Sequence, residues 1–210
     1  MDLEGNREIQ AKKNALYLAV ILLLCLTITV GCYFFIKDNG NGLYIKRDEW
    51  TSVVSIGRPF LDHPVKKVVL YFEPAYRCET REECLDLMRF IQNTNMREMR
   101  WPDIGHSFIV GGDGDIYEGR GWDVQPIDAK GYIADCISIV FTGWFEDKEK
   151  EEEQVKAVKR LLKEGLHLNK LHSDYEFEVK FSCYGCPENN LDEMKKHWPY
   201  WSKHPDILRN

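Results

Sequence analysis

The chain lacks an excess of basic residues. Its 28 lysines and arginines are outnumbered by 34 aspartates and glutamates, which gives a formal net charge of −6. A protein that binds nucleic acid through the phosphate backbone needs a basic surface, so the composition predicts no nucleic-acid partner. The 210 residues also contain no internal repeat, and this length suits one domain with a full core and some additional chain.

Charged residues are missing from one long stretch, residues 15–36, which holds 22 residues without a charge. As a helix this stretch would be about 33 Å long, enough to cross the hydrocarbon core of a bilayer. A cleaved signal peptide would have a shorter apolar region followed by a small-x-small cleavage site, and the sequence has neither. The stretch therefore predicts a retained transmembrane signal-anchor helix.

The charges that flank this stretch predict its orientation. Three basic residues precede it and one follows it directly, so the positive-inside rule places the N-terminus in the cytosol. We therefore expect a single-pass type II protein of the cell membrane, with its C-terminal domain extracellular. The expected organisation is a cytoplasmic tail (1–14), the transmembrane helix (15–36), a linker (37–43) and one ectodomain (44–210).

No Asn-x-Ser/Thr sequon occurs, so glycosylation does not test the extracellular prediction, but the cysteines agree with it. Cys78 and Cys84 lie in a polar segment with five residues between them, which suits a small surface disulfide loop. Cys136 precedes an apolar run and is expected to be buried. Cys183 and Cys186 form a CxxC pair, for which a disulfide, simple burial and a role in metal binding all stay open.

The segment 103–122 is rich in glycine, and within it Gly-Gly-Asp-Gly separates two apolar runs. Glycine and aspartate tolerate the positive φ of tight turns, so residues 107–118 are predicted to form a β-hairpin. A phosphate-binding loop would need a helix directly after the glycines, whereas Ile116 and Tyr117 continue as a strand. The segment therefore predicts a hairpin.

Hydrophobic periodicity predicts the other elements of the ectodomain. Thr80 and Glu83 have the spacing of a capping box, and the helix that they open is expected to carry Cys84, Met88 and later Met99 on its apolar face. The acidic run 146–153 is interpreted as a solvated loop that leads into the start of a helix, with an acidic interaction site as the alternative. The remaining predictions are strands at 67–72, 137–144 and 177–181, and helices at 155–166 and 191–198. This order is typical of an α/β fold with a mixed sheet covered by helices.

With these elements in place, the segment from Trp101 to Trp122 resembles the core signature of the peptidoglycan recognition proteins. Further similarities occur in family order at Arg47–Trp50, the Cys78 and Cys84 pair, 130–132, 137–143, Cys186–Pro187 and Trp198–Trp201. The resemblance covers nearly all of 44–210. It implies an amidase-like fold with a central mixed β-sheet, three flanking helices and a groove for the glycan-peptide of bacterial walls. It also implies a role in animal innate immunity.

The same resemblance bears on catalysis, because family members that cleave peptidoglycan hold zinc with two histidines and one cysteine. Tyr71 stands in place of the first histidine, Lys180 is the nearest match to the second, and Cys186 stands where the cysteine belongs. His106 replaces a tyrosine that would lie near the zinc-bound water. Three protein ligands are needed for a catalytic zinc, so this pattern implies no metal, no cofactor and no enzyme activity. A zinc set rebuilt from His106, Glu73 and the CxxC pair is the alternative.

Residues that read the peptide stem also depart from the family pattern. Gly-Trp goes with diaminopimelate-type stems and Asn-Phe with lysine-type stems, whereas this chain has Arg100 and Trp101. Arg100 could pair with a carboxylate or block the groove by its bulk. Asp135 stands where diaminopimelate binders place an arginine, and Asp128 replaces an expected histidine, so the groove is expected to repel acidic stems. The candidate groove residues are Tyr71, Arg100, Trp101, His106, Asp128 and Asp135.

These features predict a non-catalytic, membrane-anchored protein that regulates innate immune signalling against bacteria through protein contacts, with little or no peptidoglycan binding. Its expected partners are other membrane peptidoglycan recognition proteins or signalling adaptors. A true peptidoglycan-binding receptor is the first alternative, and a zinc-dependent N-acetylmuramoyl-L-alanine amidase is the second. Tyr117 and Trp122 are predicted to be either core aromatics or groove walls. Asp103 is predicted to cap a turn.

Overall fold

The computed structural model describes residues 12–27, 29, 44–51, 53–54, 58–128, 130–143, 148–181 and 203–209. The chain divides into two compact units, Met1–Gly40 and Asn41–Asn210. In the first, residues 12–27 form helix α1, on which most leucines are exposed. Within the described ranges, no helix has both the length and the apolar character needed to cross a bilayer. Residues 28 and 30–36 of the predicted span lie outside those ranges.

A mixed β-sheet organises the second unit, as the sequence predicts. The elements are β1 (Tyr44–Ile45), α2 (Arg47–Trp50), β2 (Val65–Glu73), α3 (Arg81–Arg97), β3 (Phe108–Val110), β4 (Ile116–Glu118), β5 (Ile127–Asp128), β6 (Gly131–Tyr132), β7 (Cys136–Thr142), α4 (Lys148–His167), β8 (Leu171–Phe181) and a 3₁₀ turn (Pro205–Leu208). The strands of the sheet lie in the order β1-β4-β3-β7-β2-β8; β3 and β4 pair antiparallel, and the other neighbours pair parallel. Strands β5 and β6 form a separate antiparallel pair.

Strand β2 is buried on both faces, because helices cover the sheet from two sides. Val68, Leu70 and Phe72 pack in one core cluster with the apolar face of α4. Val69 and Tyr71 point the other way and pack in a second cluster with α3. Successive residues of a strand face opposite sides, so this alternation places Tyr71 on the α3 side of the sheet.

Helix α3 begins as predicted and ends earlier than predicted. The Thr80 side chain accepts a hydrogen bond from the Glu83 N–H at 3.3 Å, and the Glu83 carboxylate accepts one from the Thr80 N–H. The last helical residue is Arg97, so Met99 lies beyond the helix, contrary to the prediction. The chain turns sharply here, since Arg100 adopts a left-handed φ of 59°.

The disulfide between Cys78 and Cys84 is confirmed, but its predicted surface position is wrong. Both cysteines are buried, because the turn of the β3–β4 hairpin packs over them. A Cβ on Gly112 would clash with the Cys78 carbonyl, and one on Gly111 would approach the Cys84 Sγ. This close contact explains why two glycines begin the turn.

Cys136 is a free thiol with no exposed surface, as expected, and burial raises its pKa to about 12. Other predictions fall outside the described residues and stay predictions. They are the linker 37–43, the end of the strand at Trp144, the CxxC pair Cys183 and Cys186, and the last helix 191–198.

Candidate functional site

Two residues singled out by the sequence meet across neighbouring strands. The parallel register of β2 and β8 sets Tyr71 directly opposite Lys180 and Val69 opposite Glu178. Opposed residues of paired strands point to the same face, so Lys180 and Glu178 share the face of Tyr71. The side chains of Lys180 and Glu178 remain 35% and 45% exposed, which leaves this edge of the sheet open to solvent.

Charges alternate along this open face. Lys180 Nζ lies 3.4 Å from Glu178 Oε1 and 3.9 Å from Asp128 Oδ2, and Lys67 Nζ lies 3.9 Å from Glu178 Oε2. Partly exposed pairs of this kind contribute at most about 1 kcal/mol each to stability. Their main consequence is electrostatic, because two ammonium groups offset two carboxylates. Lys67 and Glu178 were not among the predicted site residues, although each lies at a period-two spacing from Tyr71 or Lys180.

Tyr71 also contacts His106, which lies just before β3. The centroids of the two rings are 4.7 Å apart at an interplanar angle of 58°, and Lys180 Nζ lies 5.8 Å from the centroid of the Tyr71 ring. Burial, with the nearby Asp128 carboxylate second, raises the pKa of Tyr71. Burial lowers the pKa of His106 to about 4, against an opposing effect of Asp128. Both side chains are therefore uncharged at neutral pH.

Backbone hydrogen bonds bring Asp128 beside His106. The Ile127 N–H donates to the Gly105 carbonyl at 2.7 Å, which ties β5 to the residue before His106. The Asp128 carboxylate accepts the Lys130 N–H at 2.8 Å and so closes the turn between β5 and β6. This short hairpin thus forms a wall next to Tyr71, His106 and Lys180. We refer to Tyr71, His106, Asp128 and Lys180 as the groove-floor cluster.

Buried Asn95 holds the loop that carries Arg100 and Trp101. Its carbonyl accepts the Trp101 N–H at 3.0 Å, and its side-chain oxygen accepts the Gly105 N–H at 2.9 Å. The Trp101 ring packs so closely on Gly105 that no Cβ would fit there. Trp101 is half-buried in consequence, whereas Arg100 is exposed. Trp101 therefore lies against the backbone that leads directly into His106.

Asp135 does not join the groove-floor cluster. It is exposed and precedes β7, whose first residue, Cys136, lies opposite Lys67. Tyr71 lies opposite Val140. Val140 is five residues, or roughly 16 Å, farther along the chain than Asp135. Of the six candidate groove residues, the structure therefore brings Tyr71, His106 and Asp128 together and leaves Asp135 at the opposite end of β7.

The single-residue questions have clear structural answers. Tyr117 and Trp122 are both core aromatics, one in each of the two core clusters. Asp103 does not cap a turn: it is buried and accepts hydrogen bonds from Arg47 Nη2 at 2.8 Å and Gln92 Nε2 at 2.9 Å. Arg47 thus connects α2 to the loop before β3, a role that sequence spacing alone did not indicate.

The donors of the groove-floor cluster do not suit a zinc ion. A protonated phenol and a lysine ammonium offer no ligand set for a divalent cation, and the ammonium adds a repelling charge. Nowhere in the described ranges do three or more His, Cys, Asp or Glu side chains form a group that could hold a metal. Glu73 is buried at the end of β2, and the two CxxC cysteines lie outside those ranges.

Comparison with known proteins gives this geometry a family context. The profile of the N-acetylmuramoyl-L-alanine amidase domain, Amidase_2, matches residues 63–206, which include Tyr71 and Lys180. Peptidoglycan-recognition protein SC1a of Drosophila melanogaster is 31% identical over 165 residues, covering 77% of this chain and 89% of that protein.

Solved structures agree with the sequence comparison. The complex of the ectodomains of peptidoglycan recognition proteins LCa and LCx with tracheal cytotoxin matches with a TM-score of 0.61 and 34% identity, covering 76% of this chain and 97% of that one. The ectodomain of the Drosophila transmembrane receptor LCa matches with a TM-score of 0.59 and 26% identity, covering 64% and 82%. By sequence and by fold, the chain belongs to the peptidoglycan recognition protein family.

Proposed function

We propose that this chain is a non-catalytic, membrane-anchored regulator of innate immune signalling against bacteria. It acts through protein contacts, and its groove binds peptidoglycan stems weakly or not at all. The observation that carries the proposal is the opposition of Tyr71 and Lys180 on β2 and β8. These are the positions at which the family's zinc amidases are expected to have histidines.

Loss of catalysis follows from the chemistry of these two side chains. A zinc amidase needs three protein ligands and an open position at which zinc lowers the pKa of a bound water. Here the Lys180 ammonium already lies within 4 Å of two carboxylates, those of Asp128 and Glu178. A second cation at the same place would be repelled, so we expect neither stoichiometric zinc nor amidase activity.

Weak binding of acidic stems follows from the carboxylates around the groove. Asp128 lies in the groove-floor cluster, and its pairing with Lys180 occupies the cation that would otherwise attract a ligand carboxylate. Glu178, which also pairs with Lys180, adds a second carboxylate on the same face. Like charges placed opposite a ligand carboxylate disfavour its binding, which supports a groove that rejects acidic stems.

Anchoring in the cell membrane as a type II protein is supported by the uncharged residues 15–36 and by the exposed leucines of α1. The similar ectodomain of LCa belongs to a transmembrane receptor. We propose that the anchored chain signals through a partner chain.

Contacts with other members of the family are the most direct way for this chain to engage such a partner. The ectodomains of LCa and LCx assemble in one complex with tracheal cytotoxin. We propose that this chain contacts other membrane peptidoglycan recognition proteins or signalling adaptors in the same manner, without needing a wall fragment of its own.

A true peptidoglycan receptor is the second candidate, and Trp101 is the observation that favours it. Trp101 keeps the residue that goes with diaminopimelate-type stems, and its ring is fixed against Gly105 beside His106. A receptor would use this ring as one wall of its stem pocket and Arg100 as a partner for the stem carboxylate.

Calorimetry on the full chain in detergent micelles tests these candidates. Diaminopimelate-type and lysine-type muropeptides would be titrated separately, and the zinc content of the same sample would be measured. The proposal expects no saturable heat with either fragment and less than stoichiometric zinc. Saturable binding to one stem class would make the chain a receptor, whereas one zinc per chain would reopen the amidase alternative.

A further inference from the structure

A cavity of about 300 Å³ lies where β4 ends, and it shares no lining residue with the groove-floor cluster. Three arginines, Arg47, Arg58 and Arg120, line it together with the aromatic residue Phe60. We refer to it as the Arg58 cavity. Guanidinium groups and an aromatic ring on one wall are suited to a ligand that carries negative charge and apolar surface.

Arg58 is the arginine of this wall that is open to a ligand. It is exposed, and within the described ranges it makes no hydrogen bond or ion pair. Arg47, by contrast, donates from Nη2 to the Asp103 carboxylate at 2.8 Å. The side chain of Arg120 is fully buried and donates from Nε to the Gln125 carbonyl at 2.6 Å. The positive charge of Arg58 therefore has no counter-charge in the described part of the chain.

Three carboxylates also line the cavity, and each already accepts a hydrogen bond. Asp103 accepts from Arg47, Asp123 accepts from the Lys170 ammonium, and Glu118 accepts the Arg47 N–H at 3.1 Å. With Lys170 included, four cations face these three carboxylates. A ligand group with a single negative charge would therefore balance the set.

The three arginines also act on one another. Burial lowers the pKa of Arg120, the Asp103 carboxylate opposes this effect, and the like charges of Arg47 and Arg58 lower the pKa further. An anion placed among like charges relieves their repulsion, most of all where water is partly excluded. A carboxylate has this charge, and its two oxygens match the paired N–H groups of a guanidinium such as that of Arg58.

Phe60 restricts the ligand further, because its side chain is 71% exposed although it belongs to the same wall. The backbone that carries it is tied down, since the Phe60 carbonyl accepts a hydrogen bond from Gln125 Nε2 at 3.1 Å and Phe60 forms a β-bridge with Val124. Aromatic residues and arginines are the types that dominate binding at protein interfaces. A carboxylate flanked by an apolar group would contact both Arg58 and Phe60.

We propose that the Arg58 cavity docks a partner protein through a peptide carboxylate that is flanked by an apolar side chain. This inference rests on the proposed function, in which the chain acts through protein contacts, and it gives the chemistry of one such contact. The carboxylate belongs to an acidic side chain or to a peptide C-terminus, because both present the same group to Arg58. A volume of about 300 Å³ is at the lower end for ligand sites and suits one or two residues of a peptide.

Peptide binding to the full chain in detergent micelles tests the proposal, with ligand-observed NMR as the measurement. Acetyl-Ala-Asp-Phe-amide carries the carboxylate on a side chain, acetyl-Ala-Ala-Phe carries it at the C-terminus, and acetyl-Ala-Asn-Phe-amide carries none. We expect saturable binding of at least one charged peptide, at least about fivefold tighter than that of the neutral one. The charged peptide that binds more tightly identifies the source of the carboxylate.

Two variants locate the binding. Arg58→Gln should weaken binding of the charged peptide by about fivefold or more and leave the neutral peptide unaffected. Phe60→Ala should weaken both peptides. Each side chain is exposed, so neither change removes part of the core. Arg97→Gln is the matched control, since Arg97 is an exposed arginine on α3 that does not line the cavity, and it should bind within about twofold of the parent.

The proposal is overturned if neither charged peptide binds, or if Arg58→Gln and the parent bind the charged peptide equally well. Muropeptides added to the same samples keep this result separate from the proposed function. Muropeptide binding that persists in Arg58→Gln contradicts the proposed weak stem binding alone. Muropeptide binding that Arg58→Gln abolishes would overturn the assignment of the cavity to a partner protein.

Discussion

Tyr71 on β2 lies directly opposite Lys180 on β8, and the Lys180 ammonium is held 5.8 Å from the centroid of the Tyr71 ring. Tyr71 and Lys180 occupy the two positions at which the family resemblance expects zinc-binding histidines. The Lys180 ammonium also pairs with the carboxylates of Asp128 and Glu178, so its positive charge is already balanced within the protein.

Tyr71→Phe should leave the stability of the ligand-free protein unchanged or raise it by about 1 kcal/mol. The substitution removes a buried hydroxyl that has no hydrogen-bond partner among the residues that the structure describes, and the ring keeps its contact with His106. Urea unfolding of the parent and the variant measures the difference. A loss of more than about 1 kcal/mol would show that the hydroxyl is hydrogen-bonded in the free protein, most simply to water.

Arg100→Gly should stabilise the protein by roughly 0.5–1 kcal/mol. Arg100 adopts a left-handed φ of 59°, which is strained for a residue with a Cβ, and its side chain is exposed. Asn169→Gly is the matched control, because Asn169 has a φ of 55° but asparagine tolerates this region better. Thermal unfolding should therefore show the larger gain for Arg100→Gly, and equal gains would argue against strain at Arg100.

Asp103→Asn should destabilise the protein by about 3–5 kcal/mol. Asp103 is buried and lies 2.8 Å from Arg47 Nη2 and 3.9 Å from Arg120 Nη1, so the amide would remove the buried carboxylate that faces both guanidinium groups. Asp135→Asn, at an exposed position, should change stability by less than about 0.5 kcal/mol. Chemical denaturation of both variants checks the contrast, and similar losses would contradict a structural role for the Arg47–Asp103 pair.

Stability should fall as the pH is lowered from about 6.5 towards 4. Burial lowers the pKa of His106 to about 4 in the folded protein, so in this window the unfolded chain binds a proton that the folded one resists. The contribution of His106 is complete above pH 6.5, decreases through the window and is constant below it. His106→Gln should reduce the slope of unfolding free energy against pH, and an unchanged slope would assign the loss to other groups.

Asp128→Asn should increase affinity for diaminopimelate-type stems by about fivefold or more. The change removes a carboxylate from the groove-floor cluster and releases Lys180 from one of its partners. Asp174→Asn, an exposed change on β8, is the control and should not alter binding. If the affinity of the Asp128 variant does not rise in calorimetry, electrostatic repulsion is not the reason for weak stem binding.

Local patterns in the sequence predicted much of the fold. The β3–β4 hairpin, the Thr80 capping box and the central strand β2 all depend on periodicity and on contacts between near neighbours. Even so, the end of α3 was placed too late, because the left-handed turn at Arg100 cannot be read from helical spacing. The disulfide was predicted correctly, but its burial follows from the packing of the hairpin turn over it.

What the sequence by itself determined is the identity of the side chains: a tyrosine, a lysine and a histidine where the family resemblance expects two zinc ligands and a tyrosine. What only the tertiary structure decided is how they meet. The register between β2 and β8 joins residues far apart in the chain, and it depends on packing across the whole sheet. That register brings Lys180 and Glu178 to Tyr71, and the bond from Ile127 to Gly105 brings Asp128 to His106. It also buries Tyr71 Oη and His106 Nδ1 with no hydrogen-bond partner in the described part of the chain, since burial is a property of the assembled core and not of any single segment.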